Sequence, residues 1–114
     1  MIKIKRIYEP HDKNDGFRVL VDRLWPRGMR KEKAGVDLWL KNIAPTAELR
    51  KWFGHKEERW PEFKKKYKQE VKANKQEFEK LMAPLKKHKN LTLLFAAKDE
   101  KHNEAVILAE ILSR

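Results

Sequence analysis

Leu91-Thr92-Leu93-Leu94-Phe95-Ala96-Ala97 is a nearly continuous apolar run bounded by Lys89-Asn90 and Lys98-Asp99. A run this short, without polar alternation, predicts a strand covered on both faces, as the central strands of parallel sheets are. Helical patterns lie on either side of it. Upstream, Phe63, Tyr67, Val71, Phe78, Leu81 or Met82, and Leu85 recur at intervals of three or four, an apolar stripe opened by Trp60-Pro61 with proline in the first turn. Asn74 interrupts the stripe and Pro84 is expected to kink or end it, so either two consecutive helices or one bent helix fits. Downstream, Ala105, Val106, Leu108, Ala109 and Leu112 predict a closing amphipathic helix.

Nearer the N-terminus, Ile2 and Ile4 alternate with Lys3 and Lys5, the pattern of a strand with one wet face that ends by Pro10. A second strand is expected over residues 17–22, after the Asp15-Gly16 turn signal. Residues 29–35 are charged and read as irregular or as one helical turn. Residues 36–43 fit a short strand or a helical stripe, and the extended form is preferred. Thr46 reads as the N-cap of a short helix with Glu48 in its first turn, Leu49, Trp52 and Phe53 on its apolar face and Gly54 as its stop. Strands joined by long helical connections are normally parallel. The reading is therefore one α/β domain over residues 1–114, with a mostly parallel sheet of three or four strands and flanking helices.

The chain has no cysteine, which excludes a disulfide framework, a thiolate metal site and a cysteine nucleophile. Met1 to Arg6 lacks an apolar signal core, and no run approaches the length of a membrane span. A soluble, cytoplasmic protein without a membrane partner is expected. With 28 Lys+Arg against 17 Asp+Glu, the formal net charge is +11, which raises nucleic acid as a partner. The lysines concentrate over residues 64–89, where a solvated helix face is the competing explanation.

Two segments carry the candidate chemistry. Pro26 and Gly28 force the chain leaving the second strand into a tight irregular path, and this turn holds Asp22, Arg23 and Arg27. Arginine forks suit carboxylate and phosphate oxygens. The second segment, Lys98-Asp99 with His102-Asn103, follows the central strand, and Asp99 reads as the natural N-cap of the last helix. Ligands of open α/β sheets bind beyond the carboxyl ends of the strands, so both segments are expected to wall one site. Asp22 and His102 are its candidate catalytic residues, and Arg23, Arg27, Gly28, Lys98, Asp99 and Asn103 its candidate ligand-binding residues. His11, His55 and His88 are scattered and no short-spaced ligand pair exists, so neither a metal nor a cofactor is expected.

Asp22-Arg23-Leu24-Trp25-Pro26-Arg27-Gly28, Ala44-Pro45-Thr46, Leu49-Arg50-Lys51-Trp52-Phe53-Gly54-His55, Trp60 with Phe63 and Tyr67, and residues 92–99 with His102-Asn103 together resemble the YeaO-like branch of the bacterial DUF488 family, a domain of unknown function. The resemblance covers nearly the whole chain. It implies a small Rossmann-like layered domain and brings no settled reaction, substrate or catalytic residue. The family's recurrent polar positions match Asp22, Arg23, Arg27, Gly28, Lys98, Asp99, His102 and Asn103. The resemblance also implies a departure, because relatives often carry a second histidine where this chain has Glu104. The leading functional expectation is a pocket for a phosphate- or carboxylate-bearing small molecule between the 22–28 and 98–103 loops. Whether the protein is an enzyme is left open, and the alternative is a non-enzymatic nucleic-acid binder using its basic helices.

Overall fold

Covering Leu91 to Phe95 from every side takes neighbouring strands as well as layers above and below. In the computed structural model, which describes residues 1–113, the chain supplies both. Strands β1 (Ile2–Arg6), β2 (Phe17–Leu20), β3 (Leu38–Trp39) and β4 (Leu91–Phe95) form one sheet in the order β1-β4-β2-β3. Every pairing is parallel, with Ile4 and Val19 flanking Leu93 on its two sides. The apolar run is thus the inner strand expected of it, and the domain is a small Rossmann-like α/β layer. No helix among the described residues is long and apolar enough to cross a membrane.

Five helices connect and cover the strands: α1 (Lys31–Ala34), α2 (Ala47–Phe53), α3 (Trp60–Ala73), α4 (Lys75–Lys87) and α5 (Glu104–Leu112). Thr46 caps α2 as expected, its side chain accepting from the Leu49 N–H, and Gly54 closes the helix in the left-handed conformation. The long stripe resolves into two helices that part at Asn74, whose φ of −103° and ψ of 61° are non-helical. Asn74 also donates from Nδ2 to the Asn42 carbonyl at 3.0 Å, a long-range contact that holds the break. Pro84 does not end α4. It sits in the last turn, and the helix runs on to Lys87. Residues 36–43 contain the two-residue strand β3 and then a single 3₁₀ turn at Lys41–Ile43. Tyr67 pins that turn from α3, donating to the Ile43 carbonyl at 2.6 Å.

Alternate residues of β4 point to opposite faces, and the two faces are covered differently. Leu91, Leu93 and Phe95 join Val19 and Val21 under the side chains of α2 to α5, including Phe53, Phe63, Tyr67, Leu81 and Ile107. Leu94 meets Leu20, Ile7 and Ala34 on the other face, where the 25–36 segment supplies Trp25, Met29 and Val36. This second layer is thin, and a buried ionic cluster holds it in place.

Asp15 is the centre of that cluster. Its fully buried carboxylate meets Lys3 and Lys5 at 3.0 Å each and the guanidinium of Arg18. Arg18, itself 1% exposed, also donates to the Ala34 and Gly35 carbonyls. The Asp15 carbonyl accepts from Thr92 of β4 at 2.7 Å. Burial alone would push the Asp15 carboxyl up, but hydrogen bonds from Lys5, Lys3, the Asp12 N–H and Arg18 outweigh it and hold the pKa well below the carboxylate range. The adjoining turn requires glycine, because a Cβ on Gly16 (φ 66°) would lie 2.2 Å from the Asn90 carbonyl oxygen. Removing one member of a buried pair strands the other charge, which costs about 3–5 kcal/mol. Asp15→Asn is therefore expected to lower unfolding stability by about 3 kcal/mol or more in urea titrations, whereas a loss within the ordinary surface range would show that Arg18 is satisfied without it.

Candidate functional site

The chain leaves β2 and β4, which are neighbours, in opposite directions. From β2 it passes through α1, whose Ala34 lies on the thin face, to the edge strand β3. From β4 it turns into α5, which packs on β1 and β4 from the helical face. Such a divergence opens a crevice beyond the carboxyl ends of the two strands. Here it is a cleft of about 470 Å³ whose lining includes Asp22, Arg23 and Arg27 on one side and His102, Asn103 and Glu104 on the other.

The two walls are bonded directly to each other. Asp22 Oδ2 accepts from the Ala96 N–H at 2.9 Å, joining the turn after β2 to the turn after β4. Arg6, at the end of β1, donates to the Ala96 and Ala97 carbonyls at 3.0 and 2.9 Å, which fixes the same turn from the other side. The Trp39 indole N–H closes the Asp22 carbonyl at 2.7 Å, and Trp25 donates to Met29 O at 2.7 Å. Most polar groups that shape the cleft are thereby committed to protein partners, so the walls are set before any ligand arrives.

Two arginines are held differently. Arg23 donates to the Ala44 carbonyl at 3.1 Å and to Pro45 O at 3.4 Å through Nε and one terminal nitrogen, leaving the other terminal nitrogen without a partner among the described residues. Arg27 has its carbonyl fixed by the Tyr8 hydroxyl at 2.8 Å, while its exposed guanidinium has no hydrogen-bond or ion-pair partner among the described residues.

The floor of the cleft carries a carboxyl pair. Burial pushes the Glu104 carboxyl well above its ordinary pKa, and its hydrogen bond to Asp22 and the Asp22 charge add to the effect, with Arg50 opposing them. Both effects favour a proton on Glu104 at its contact with Asp22.

Asp99 does not cap the last helix. Asn103 does, its Oδ1 accepting from the Val106 N–H at 3.2 Å while Nδ2 donates to Asp99 O at 2.9 Å. The physical reason is that the 98–103 stretch folds as a turn of its own around the Asp99 carboxylate. Oδ1 accepts from the Lys101 and His102 N–H groups, and Oδ2 meets His102 Nδ1 at 2.9 Å. The hydrogen bond from His102 holds the Asp99 carboxyl below its ordinary pKa. With Nδ1 engaged there, Nε2 of His102 has no hydrogen-bond partner among the described residues, and the ring packs edge-on against Trp60.

Of the expected residues, Asp22, Arg23, Arg27, His102 and Asn103 line this cleft, and Gly28, Lys98 and Asp99 do not. Gly28 serves the turn with a φ of 76°, Lys98 is exposed, and Asp99 acts behind His102. The Asn103 amide is spent on the helix cap and the Asp99 carbonyl. Glu57, Asp99 and His102 bring one ligand atom each within 4.8 Å of one another. Asp22 stands outside that group, and the Asp99–His102 bond accounts for its tightest contact without a metal. Sequence reasoning passed over Arg50 and Tyr8, and noted Glu104 only as a departure from the histidine that relatives often carry. Glu104 sits in the first turn of α5, where an acidic residue is ordinary for the helix dipole, so its place beside Asp22 shows only in the folded chain.

Over residues 1–114 the sequence matches the family model described as the inactive DUF488-N3 subclade. The chain belongs to this family. It is similar to the uncharacterized protein YeaO of Escherichia coli K12, at 42% identity over 111 residues covering 97% of this chain and 96% of the relative. It is also similar to the uncharacterized protein Rv3073c of Mycobacterium tuberculosis H37Rv, at 38% identity over 114 residues, 98% of this chain and 93% of the relative. No solved structure matches.

The Glu104 proton has a measurable consequence. Above the ordinary carboxyl pKa of 4.5 the unfolded chain releases that proton while the folded chain retains it, so the group costs stability as pH rises. Urea unfolding of the protein and of Glu104→Gln at about pH 5 and about pH 8 is expected to show the variant gaining on the parent at the higher pH. A stability difference that is the same at both pH values would overturn the raised pKa.

Proposed function

We propose that this protein binds a small molecule through its phosphate or carboxylate, in the cleft between the 22–28 and 97–104 segments. The observation that carries the reading is the unpartnered Arg27 guanidinium beside the anchored Arg23, both on one cleft at the carboxyl ends of β2 and β4. Two planar forks with donors to spare suit an oxyanion. The preformed walls lower the ordering cost of binding. His102 Nε2 adds a third polar group on the opposite wall.

The reading is of binding rather than turnover. Asp22 and His102 retain groups able to move a proton, but the family's description as an inactive subclade favours a retained pocket without chemistry. The reading includes a cytoplasmic setting. Nucleic-acid binding by the lysines of α3 and α4 has weaker support, because Lys64, Lys66 and Lys80 are paired with Glu110, Glu62 and Glu77.

Titration of inorganic phosphate into isotope-labelled protein is expected to give saturable amide shifts over residues 22–28. Arg27→Ala should weaken that binding about tenfold, the loss of one charge-assisted contact, and the Arg23→Ala, Arg27→Ala double variant should abolish it. Shifts of equal size and midpoint in the double variant would reject the site.

A further inference from the structure

The cleft is not simply cationic. An oxyanion site alone has no use for a carboxyl pair, yet Asp22 and Glu104 stand on the same cavity as Arg23 and Arg27. Asp22 cannot be dismissed as a bystander to the arginines, because its Oδ2 is turned the other way, onto the Ala96 N–H. No arginine or lysine forms a salt bridge with either carboxyl among the described residues. Arg50, also on the cleft lining, acts on Glu104 only through its charge. The two carboxyls thus line the cavity without a basic salt-bridge partner among the described residues, in a place where burial makes an unmatched charge costly.

Apolar side chains line the same cleft. Phe53 and Phe63 are 5% and 3% exposed, stack with ring centroids 4.4 Å apart and reach the cleft. Leu24 and Trp25 face it from the other wall, and Leu24 is 66% exposed, unusually open for a leucine beside a cavity.

We propose that the cleft takes a zwitterionic small molecule, its phosphate or carboxylate on Arg23 and Arg27 and a protonated amine on the Asp22 and Glu104 carboxyls. An alkylammonium offers several donors and stays charged at neutral pH. It supplies the missing countercharge. The short carbon chain or ring between the two groups lies against Phe53, Phe63 and Leu24. Selection follows from the pair: an anion without an amine leaves the carboxyls unmatched, and an amine without an anion leaves Arg27 unused.

This proposal rests on the anion-binding reading, and its test separates the two. The probes are aminoethyl and aminopropyl phosphate against ethyl and propyl phosphate, titrated calorimetrically into the protein, Asp22→Asn and Arg27→Ala. The amine is expected to tighten binding about tenfold in the parent, the gain from one charge-assisted contact. Asp22→Asn, which removes the carboxylate charge and keeps an oxygen for the Ala96 N–H, should lose that gain and keep its affinity for the alkyl phosphates. Arg27→Ala, at an exposed position that carries no fold contact through its guanidinium, should weaken both series equally. Alkyl and aminoalkyl phosphates binding the parent with equal affinity would overturn the zwitterion proposal while leaving the anion site standing. An amine gain that persists in Asp22→Asn would overturn it as well. Failure of every phosphate to bind the parent would remove the anion-binding reading itself.

Discussion

The contact between the Asp15 carboxylate and the Arg18 guanidinium is the constraint on which the thin side of this protein depends. Four helices cover one face of the sheet with aromatic and aliphatic side chains, and hydrophobic burial suffices there. The other face has only a one-turn helix and a loop, too little apolar surface to hold itself down. Asp15 replaces the missing layer with directional bonds. It gathers Lys3 and Lys5 from β1, Arg18 from β2 and, through its carbonyl, Thr92 from β4, while Arg18 extends the network to the end of α1. Burying Arg18 is tolerable only because each of its three bonding nitrogens finds an oxygen.

That anchorage decides where the 22–28 turn can go. With β2 and α1 tied to each other, the turn between them must lie across the ends of the strands, where Asp22 reaches the Ala96 N–H and Trp39 closes the Asp22 carbonyl. The cleft is the gap left as α5 departs toward β1 on the opposite face. Its walls are fixed by bonds among protein groups, and Arg23, Arg27, His102, Asp22 and Glu104 all lie on its lining.

Local signals made much of the architecture readable. The unbroken apolar stretch at Leu91 identified the inner strand, and Thr46 with Gly54 bracketed α2. Asn74 divided the long stripe, although its own pattern allowed a single bent helix and only the bond to Asn42 settles the matter. Asp99 misled, since an aspartate before a helix is an ordinary cap, and its engagement by His102 depends on a turn conformation that no local preference announces. Residues 36–43 stayed ambiguous because two residues of strand and one 3₁₀ turn leave no periodicity to detect.

The sequence by itself determined the α/β class, the inner strand and the bounds of α2 set by Thr46 and Gly54. These follow from backbone preference and hydrophobic period, which act over a few residues. Only the tertiary structure decided the strand order, the union of the 22–28 turn with the turn after β4, and the pairing of Asp22 with Glu104. The reason is separation along the chain. A carboxyl acquires a raised pKa and a partner from groups many residues away, through burial and distance, and neither quantity is written in the order of the residues.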